Sequence, residues 1–220
     1  MTRSTLDATL LRDLAPVVPT IVYDTYWKFA AERQEIFFRR MTAPFSLGTK
    51  DTILSHHKFT NAYRASDRVS QFLIKNVIYA GDQGARETFF RTILFKLFNR
   101  IDTWQLLEQE LGELTYRRFR HDRYARVLEQ AMCEGKRIYS AAYIMPAASK
   151  FEGKRKHETH LRLLDHMIRE RAPERIEQAK TLREVFECLR SFPMLGDFLA
   201  YQFTTDLNYG RFIDFSEMEF

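Results

Sequence analysis

Between the turn signal Gly81-Asp82-Gln83-Gly84 and Arg100 lies the stretch that most restricts how this chain can fold. Residues 85 to 100 carry Phe89, Phe90, Ile93, Leu94, Leu97 and Phe98, so a helix built from them has almost no face left for water. A helix apolar nearly all round has to be enclosed by other elements, which predicts a central one. Two further periodicities accompany it. Residues 21 to 41 place Val22, Tyr26, Phe29, Ile36 and Phe37 on one face at about 100° per residue. From Ser66, a good N-cap, Val69, Phe72, Leu73, Val77 and Ala80 recur at helical spacing until Gly81 stops them. No convincing alternating strand is present. The expectation is an all-α protein, one domain over residues 1 to 220, with these three segments supplying most of the core.

Shorter elements fill the rest. Residues 4 to 14 predict a capped helix ended by Pro16 and Pro19, and Thr49 is a candidate cap for a short turn leading to His56-His57. Asp102 or Thr103 is the expected cap of a helix with Trp104, Leu107 and Leu111 that stops at Gly112. Residues 115 to 134 then form a helix, and another runs from Gly135 through Ile138 and Tyr143 to Pro146. The basic loop Gly153-Lys154-Arg155-Lys156-His157 opens a helix over 158 to 171. Thr181 to Gly210 reads as a helix, the turn Phe192-Pro193-Met194-Leu195-Gly196, and a second helix.

Several functions are set aside by what is missing. Only Cys133 and Cys188 are present, so cysteine builds neither a disulfide framework nor a four-ligand zinc site; both read as buried thiols of a reducing compartment. His157 and His160 share a helical face but have no third ligand at a telling spacing, and no metal or cofactor is expected. No apolar run approaches the ~20 residues of a membrane span and no signal core opens the chain, so the expected location is cytoplasmic. No GxxxxGK[ST], GxGxxG or GxSxG occurs, which argues against an ATP-dependent kinase.

Candidate site residues fall in three places. Phe59 to Val69 holds Asn61, Tyr63, Arg64, Asp67 and Arg68 in one turn and helix start, where free backbone N–H groups and arginines suit phosphate or carboxylate. Arg33, beside Gln34, interrupts the apolar stripe of 21 to 41 and needs a partner; it either snorkels to the edge or meets an acid or a phosphate. We expect Arg33, Asn61, Arg64, Asp67 and Arg68 to converge on one concave site. Arg117, Arg118, Arg120, Arg123 and Arg126 alternate with Tyr116, Phe119 and Tyr124, which fits either a DNA-facing surface or a solvated face with its aromatics inward. With Lys154, Arg155, Lys156 and His157, Arg117, Arg118 and Arg120 are the expected phosphate contacts. The net charge of +5 favours a polyanionic partner only mildly.

The runs FTNAYRASDRVSQFLI and YWKFAAERQEIFFRR resemble the helical domain of 5-hydroxymethyl-deoxyuridine DNA kinases and the related α-glutamyl/putrescinyl thymine pyrophosphorylases, proteins of DNA base hypermodification. LFKLFNRIDTW, KRIYSAAYIM, KHETHLRLL and MLGDFLAYQFTTDLNYG extend the resemblance over nearly the whole chain from about Val22. The turn at 192 to 196 is also similar to the hairpin of helix-hairpin-helix DNA glycosylases, with Met194 where the first hairpin glycine would stand and Gly196 at the second. These resemblances imply a glycosylase-like helical bundle that binds double-stranded DNA containing modified pyrimidines. The family is expected to continue past Phe220 with a glycine-rich turn, so part of the site is expected to be missing.

What the resemblance implies chemically is action on a flipped base. Excision of a hypermodified base, as a defence against phages, is the reading favoured; transfer onto an activated 5-methyl carbon with loss of pyrophosphate is the alternative. Asp214 and Glu217, then Asp206 and Asp67, are the candidate catalytic acids, with Arg33, Gln34, Asn61, Tyr63, Arg64 and Arg68 around the base. The other class of reading is a non-catalytic DNA-binding module, which would tolerate loss of those acids.

Overall fold

The computed structural model describes residues 18–43, 48–141, 145 and 155–217. The helix expected over 4 to 14, Gly153 and Lys154 lie outside the described residues. Among the described residues there are helices and turns and no strand, as the periodicities require. The chain divides into two compact units, Met1–Asp67 and Arg68–Phe220.

In the first unit α1 (Ile21–Thr42) starts where the Thr20 hydroxyl accepts the N–H of Tyr23. The short α2 (Thr52–His56) is capped by Asp51, whose carboxylate accepts the N–H groups of Ile53 and Leu54 at 2.9 and 3.0 Å. Thr49 is therefore not the cap: its hydroxyl accepts the Asp51 N–H and donates to Glu32 at 2.7 Å. Of α1 only Ile36 is buried, while Val22 stays 73% and Tyr26 61% exposed. The expectation that this helix supplies much of the core is corrected accordingly. Periodicity establishes that residues share a face, not that anything covers it.

The second unit is built around α4 (Ala85–Phe98), in which every residue from Thr88 to Phe98 is buried. It packs against α7 (Lys156–Arg169), α8 (Ala172–Glu177) and α10 (Asp197–Leu207). Burying side chains such as Phe89, Phe90, Ile93 and Leu94 stabilises the unit by about 1.5–3 kcal/mol each. Asn99 ends α4 in the left-handed region at φ 48°, which asparagine tolerates better than most residues.

The element before α4 differs from expectation. Ser66 closes a 3₁₀ turn over Arg64–Ser66 and is not an N-cap; α3 (Arg68–Phe72) begins after Asp67, whose backbone is extended. α3 then widens into a π-helical turn, Leu73–Ile78. Arg91 from α4 closes that turn: its guanidinium donates to the carbonyls of Val77 (2.9 Å), Ile78 (3.3 Å) and Asp82 (2.7 Å).

α5 (Ile101–Leu111) ends at Gly112, φ 75°, as expected. Neither Asp102 nor Thr103 caps it: Arg100 occupies that position, and Thr103 is buried with its hydroxyl on the Ile138 carbonyl at 2.8 Å. That bond, and Ser140 N–H on the Phe98 carbonyl at 2.9 Å, hold residues 136–141 in an irregular strap where a helix was expected. The single helix expected over 115 to 134 is also broken. A 3₁₀ turn, Tyr116–Arg118, and extended residues at Phe119 and Arg120 precede α6 (His121–Cys133).

α7 passes into α8 through two residues, Glu170 and Arg171, of which Arg171 is exposed and left-handed at φ 58°. α9 (Leu182–Arg190) and α10 are joined by the expected turn. Cys188 is buried, but Cys133 is exposed, so only one of the two thiols belongs to the core.

Candidate functional site

The break before α6 is what presents the arginines. Thr115 caps the 3₁₀ turn by accepting the Arg118 N–H at 3.3 Å, and Glu87 of α4 accepts the N–H groups of Tyr116 at 2.8 Å and Arg117 at 3.3 Å. Beneath the turn Phe119 is buried between Phe90 (ring centroids 5.3 Å apart) and Tyr124 (4.9 Å). With its backbone tied to α4 and its aromatics inward, the segment leaves Arg117, Arg118, Arg120 and Arg123 exposed. These four line a surface cleft of about 390 Å³ together with Leu111, Tyr124 and Glu113. Among the described residues of that lining Glu113 is the one carboxylate, 3.5 Å from Arg118. Burial drives the Tyr124 hydroxyl well above the ordinary tyrosine range, so it remains a neutral wall of the cleft.

The second basic segment is placed otherwise. Arg155 is exposed but bridged to Glu129 at 3.0 Å. Lys156 is half-buried with its ammonium 4.8 Å over the Tyr139 ring, and the loss of solvent lowers its pKa. His157 is 1% exposed, with Glu129 Oε2 3.7 Å from its Nε2. An imidazole enclosed this way does not reach a phosphate, and burial pushes its pKa below the usual histidine value. His160 is also buried, its Nδ1 2.8 Å from the Tyr139 hydroxyl. Among the described residues no cluster of three metal-ligating side chains occurs.

The four candidate acids separate. Asp206, at the end of α10, is fully buried and pairs with Lys96 of α4 at 3.2 Å, where it is closed to solvent and serves the packing of the two helices. Lys96 also donates to Asn99 Oδ1 at 2.8 Å. Asp214 and Glu217 are exposed. Asp214 lies in a segment pinned to α10 by Asn208, whose amide donates to the Phe215 carbonyl (2.8 Å) and accepts the Phe215 N–H (3.0 Å). Asp67 is half-buried in the first unit. In the hairpin Met194 adopts φ 71°, a conformation that suits glycine, and Gly196 is the exposed, extended residue before α10.

In the first unit the partner of Arg33 is its own chain. Its Nε donates to the Thr60 carbonyl at 3.0 Å and its Nη2 to the Thr60 hydroxyl (3.1 Å) and the Asn61 carbonyl (3.3 Å), while the guanidinium lies 4.9 Å over Phe29. Asn61 donates in turn to the Ser66 carbonyl at 2.6 Å. Arg33 and Asn61 thus come together as a strap and line one cleft with Arg40, His56, His57 and Lys58. Gln34 and Arg64 are half-buried, Tyr63 is exposed, and none of the three lines that cleft; Arg68 opens the second unit. Arg40 and Lys58 were not legible as partners in one cleft, since Asp51 and 16 other residues separate them in the chain; Arg91 and Lys96 carried a visible signal, charges inside an otherwise apolar helix.

No helix among the described residues is long and apolar enough to cross a membrane. Residues 20–220 match the family described as 5-hmdU DNA kinase, helical domain. A 5-hmdU DNA kinase of Bacillus phage SP10 is 26% identical over 207 residues, covering 87% of this chain and 32% of the relative, so the chain spans about a third of that protein's length. No solved structure matches. With the match running through the arginine turn, the central helix and the hairpin alike, the chain belongs to the 5-hmdU DNA kinase helical-domain family.

Proposed function

We propose that this chain is a DNA-gripping domain of a base-modification system, holding duplex that carries a modified pyrimidine. The observation that carries the reading is the charge asymmetry of the α6 cleft, where Arg117, Arg118, Arg120 and Arg123 face the single carboxylate of Glu113. Guanidinium groups on an anchored turn neutralise backbone phosphates and release condensed counterions, which positions a duplex without reading its sequence. The relative's name, a kinase of 5-hmdU DNA, supports modified DNA as the partner. The test is anisotropy on paired duplexes with and without 5-hydroxymethyl-deoxyuridine across a salt series. Arg117→Ala and Arg118→Ala should each lower the salt slope by about 0.9 and weaken both duplexes alike. An unchanged slope in both variants rejects the cleft as the DNA contact.

Excision of a modified base is the second reading, and the hairpin favours it. Met194 keeps a glycine-like backbone there, and Asn208 holds the Asp214 segment against α10. In this reading Asp214, or Glu217 close after it, stabilises an oxocarbenium-like sugar or activates water. Mass spectrometry of modified phage DNA after incubation separates the outcomes. A released base that disappears in Asp214→Asn supports excision, a mass gain on the DNA means transfer, and no change in either leaves docking as the function.

A further inference from the structure

We infer that the first unit carries a binding site of its own for a nucleoside phosphate, in the cleft between α1 and the segment from Leu54 to Asn61. The cleft is about 450 Å³, within the range of small-ligand sites of roughly 300–1,000 Å³. Arg40, His56, His57 and Lys58 line it along with Arg33, and no carboxylate is found among the described residues of its lining. In a chain with 29 acidic residues, a wall free of them is a selective feature. It favours a ligand of concentrated negative charge.

The division of labour among the cations narrows the ligand. Arg33 is occupied by the Thr60 and Asn61 backbone, so it holds the loop and is a positioning residue. Arg40 and Lys58 are exposed at the cleft, as are the two imidazoles, which places their donors where a phosphate would sit. Phe59 supplies the other half. It remains 45% exposed although its ring is fixed edge-on by Phe29, 5.1 Å away, and by His57 at 6.5 Å. Buried Ile36 and Leu54 form an apolar floor. A rigid aromatic face beside a cationic wall matches a base joined to a phosphate: stacking holds the base and the cations hold the charge. A free nucleotide and the 5′-phosphorylated end of a DNA strand both present that chemistry.

The experiment titrates the full chain with thymidine 5′-monophosphate by calorimetry. Saturable binding is expected, weakened about tenfold by Arg40→Ala or Lys58→Ala, the loss of one charge-assisted contact. Phe59→Ala should weaken the nucleotide but leave inorganic phosphate unchanged. Arg117→Ala, outside this cleft, should leave nucleotide binding unchanged, so this site and the DNA-docking reading fail separately. Competition by a 5′-phosphorylated strand and not by its 5′-hydroxyl counterpart assigns the site to a DNA end; competition by neither assigns it to a free nucleotide. The inference is overturned if thymidine or inorganic phosphate binds as tightly as the nucleotide, if Arg40→Ala and Lys58→Ala change nothing, or if no saturable binding is found.

Discussion

Lys96 and Asp206 meet inside the second unit at 3.2 Å, with side chains 6% and 0% exposed, so each charge has exchanged water for the other. Changing one strands the other. Asp206→Leu should destabilise by about 3–5 kcal/mol in urea unfolding, while Lys96→Met combined with it should recover most of that loss. The place of Asp206 after the hairpin was legible in the sequence; its burial was not. His157 gives a second measurement. Burial lowers its folded pKa, with Glu129, Glu158 and Arg155 around it, so in the folded state it prefers to be neutral. The unfolded chain then binds the extra proton. Its contribution to stability is full above the unfolded value of about 6.5 and is lost as pH falls below that toward the folded pKa. Stability of the parent chain should therefore drop more steeply from pH 7 to pH 5 than that of His157→Leu.

The helix over 68 to 78 shows how far periodicity reads and where it stops. Val69, Phe72, Leu73 and Val77 were visible as one apolar set, and Leu73 and Val77 are indeed core, but a 3.6-residue period cannot reveal that the backbone widens at Leu73–Ile78. Such a turn needs its end carbonyls satisfied, and the donor is Arg91, 14 residues away from Val77. A tertiary partner of that kind leaves no local trace. Arg91→Met should cost about 3 kcal/mol through unpaired buried carbonyls. Hydrogen exchange should show the loss confined first to amides of residues 73 to 82. The arginine turn is a parallel case: its residues were legible, but the break that exposes them depends on Glu87 and Phe90 of α4.

Across the whole molecule the two units differ in how they are held. The second has α4 enclosed on all sides, so its amides should exchange only on global unfolding. In the first, α1 buries Ile36 alone, and beside the Phe29–Phe59 ring contact its fixed points are polar: Arg39 on the Gly48 carbonyl at 2.8 Å, Glu32 accepting from Thr49, Arg33 on Thr60. Amides of α1 should exchange orders of magnitude faster than those of α4 in the same sample, and equal protection would contradict this. The all-α class was legible because α4 admits no other environment; the thin core of the first unit was not, because coverage of a face is a property of neighbours. Arg171, the left-handed residue of the two-residue corner from α7 to α8, carries this into genetics. Its side chain is exposed, yet its backbone sits at φ 58°, a conformation costly to most residues with a β-carbon and most of all to branched ones. In a randomised library selected for folding, codons for glycine and asparagine at position 171 should enrich over those for valine and isoleucine by several-fold. A dihedral angle would then be readable from sequencing counts alone.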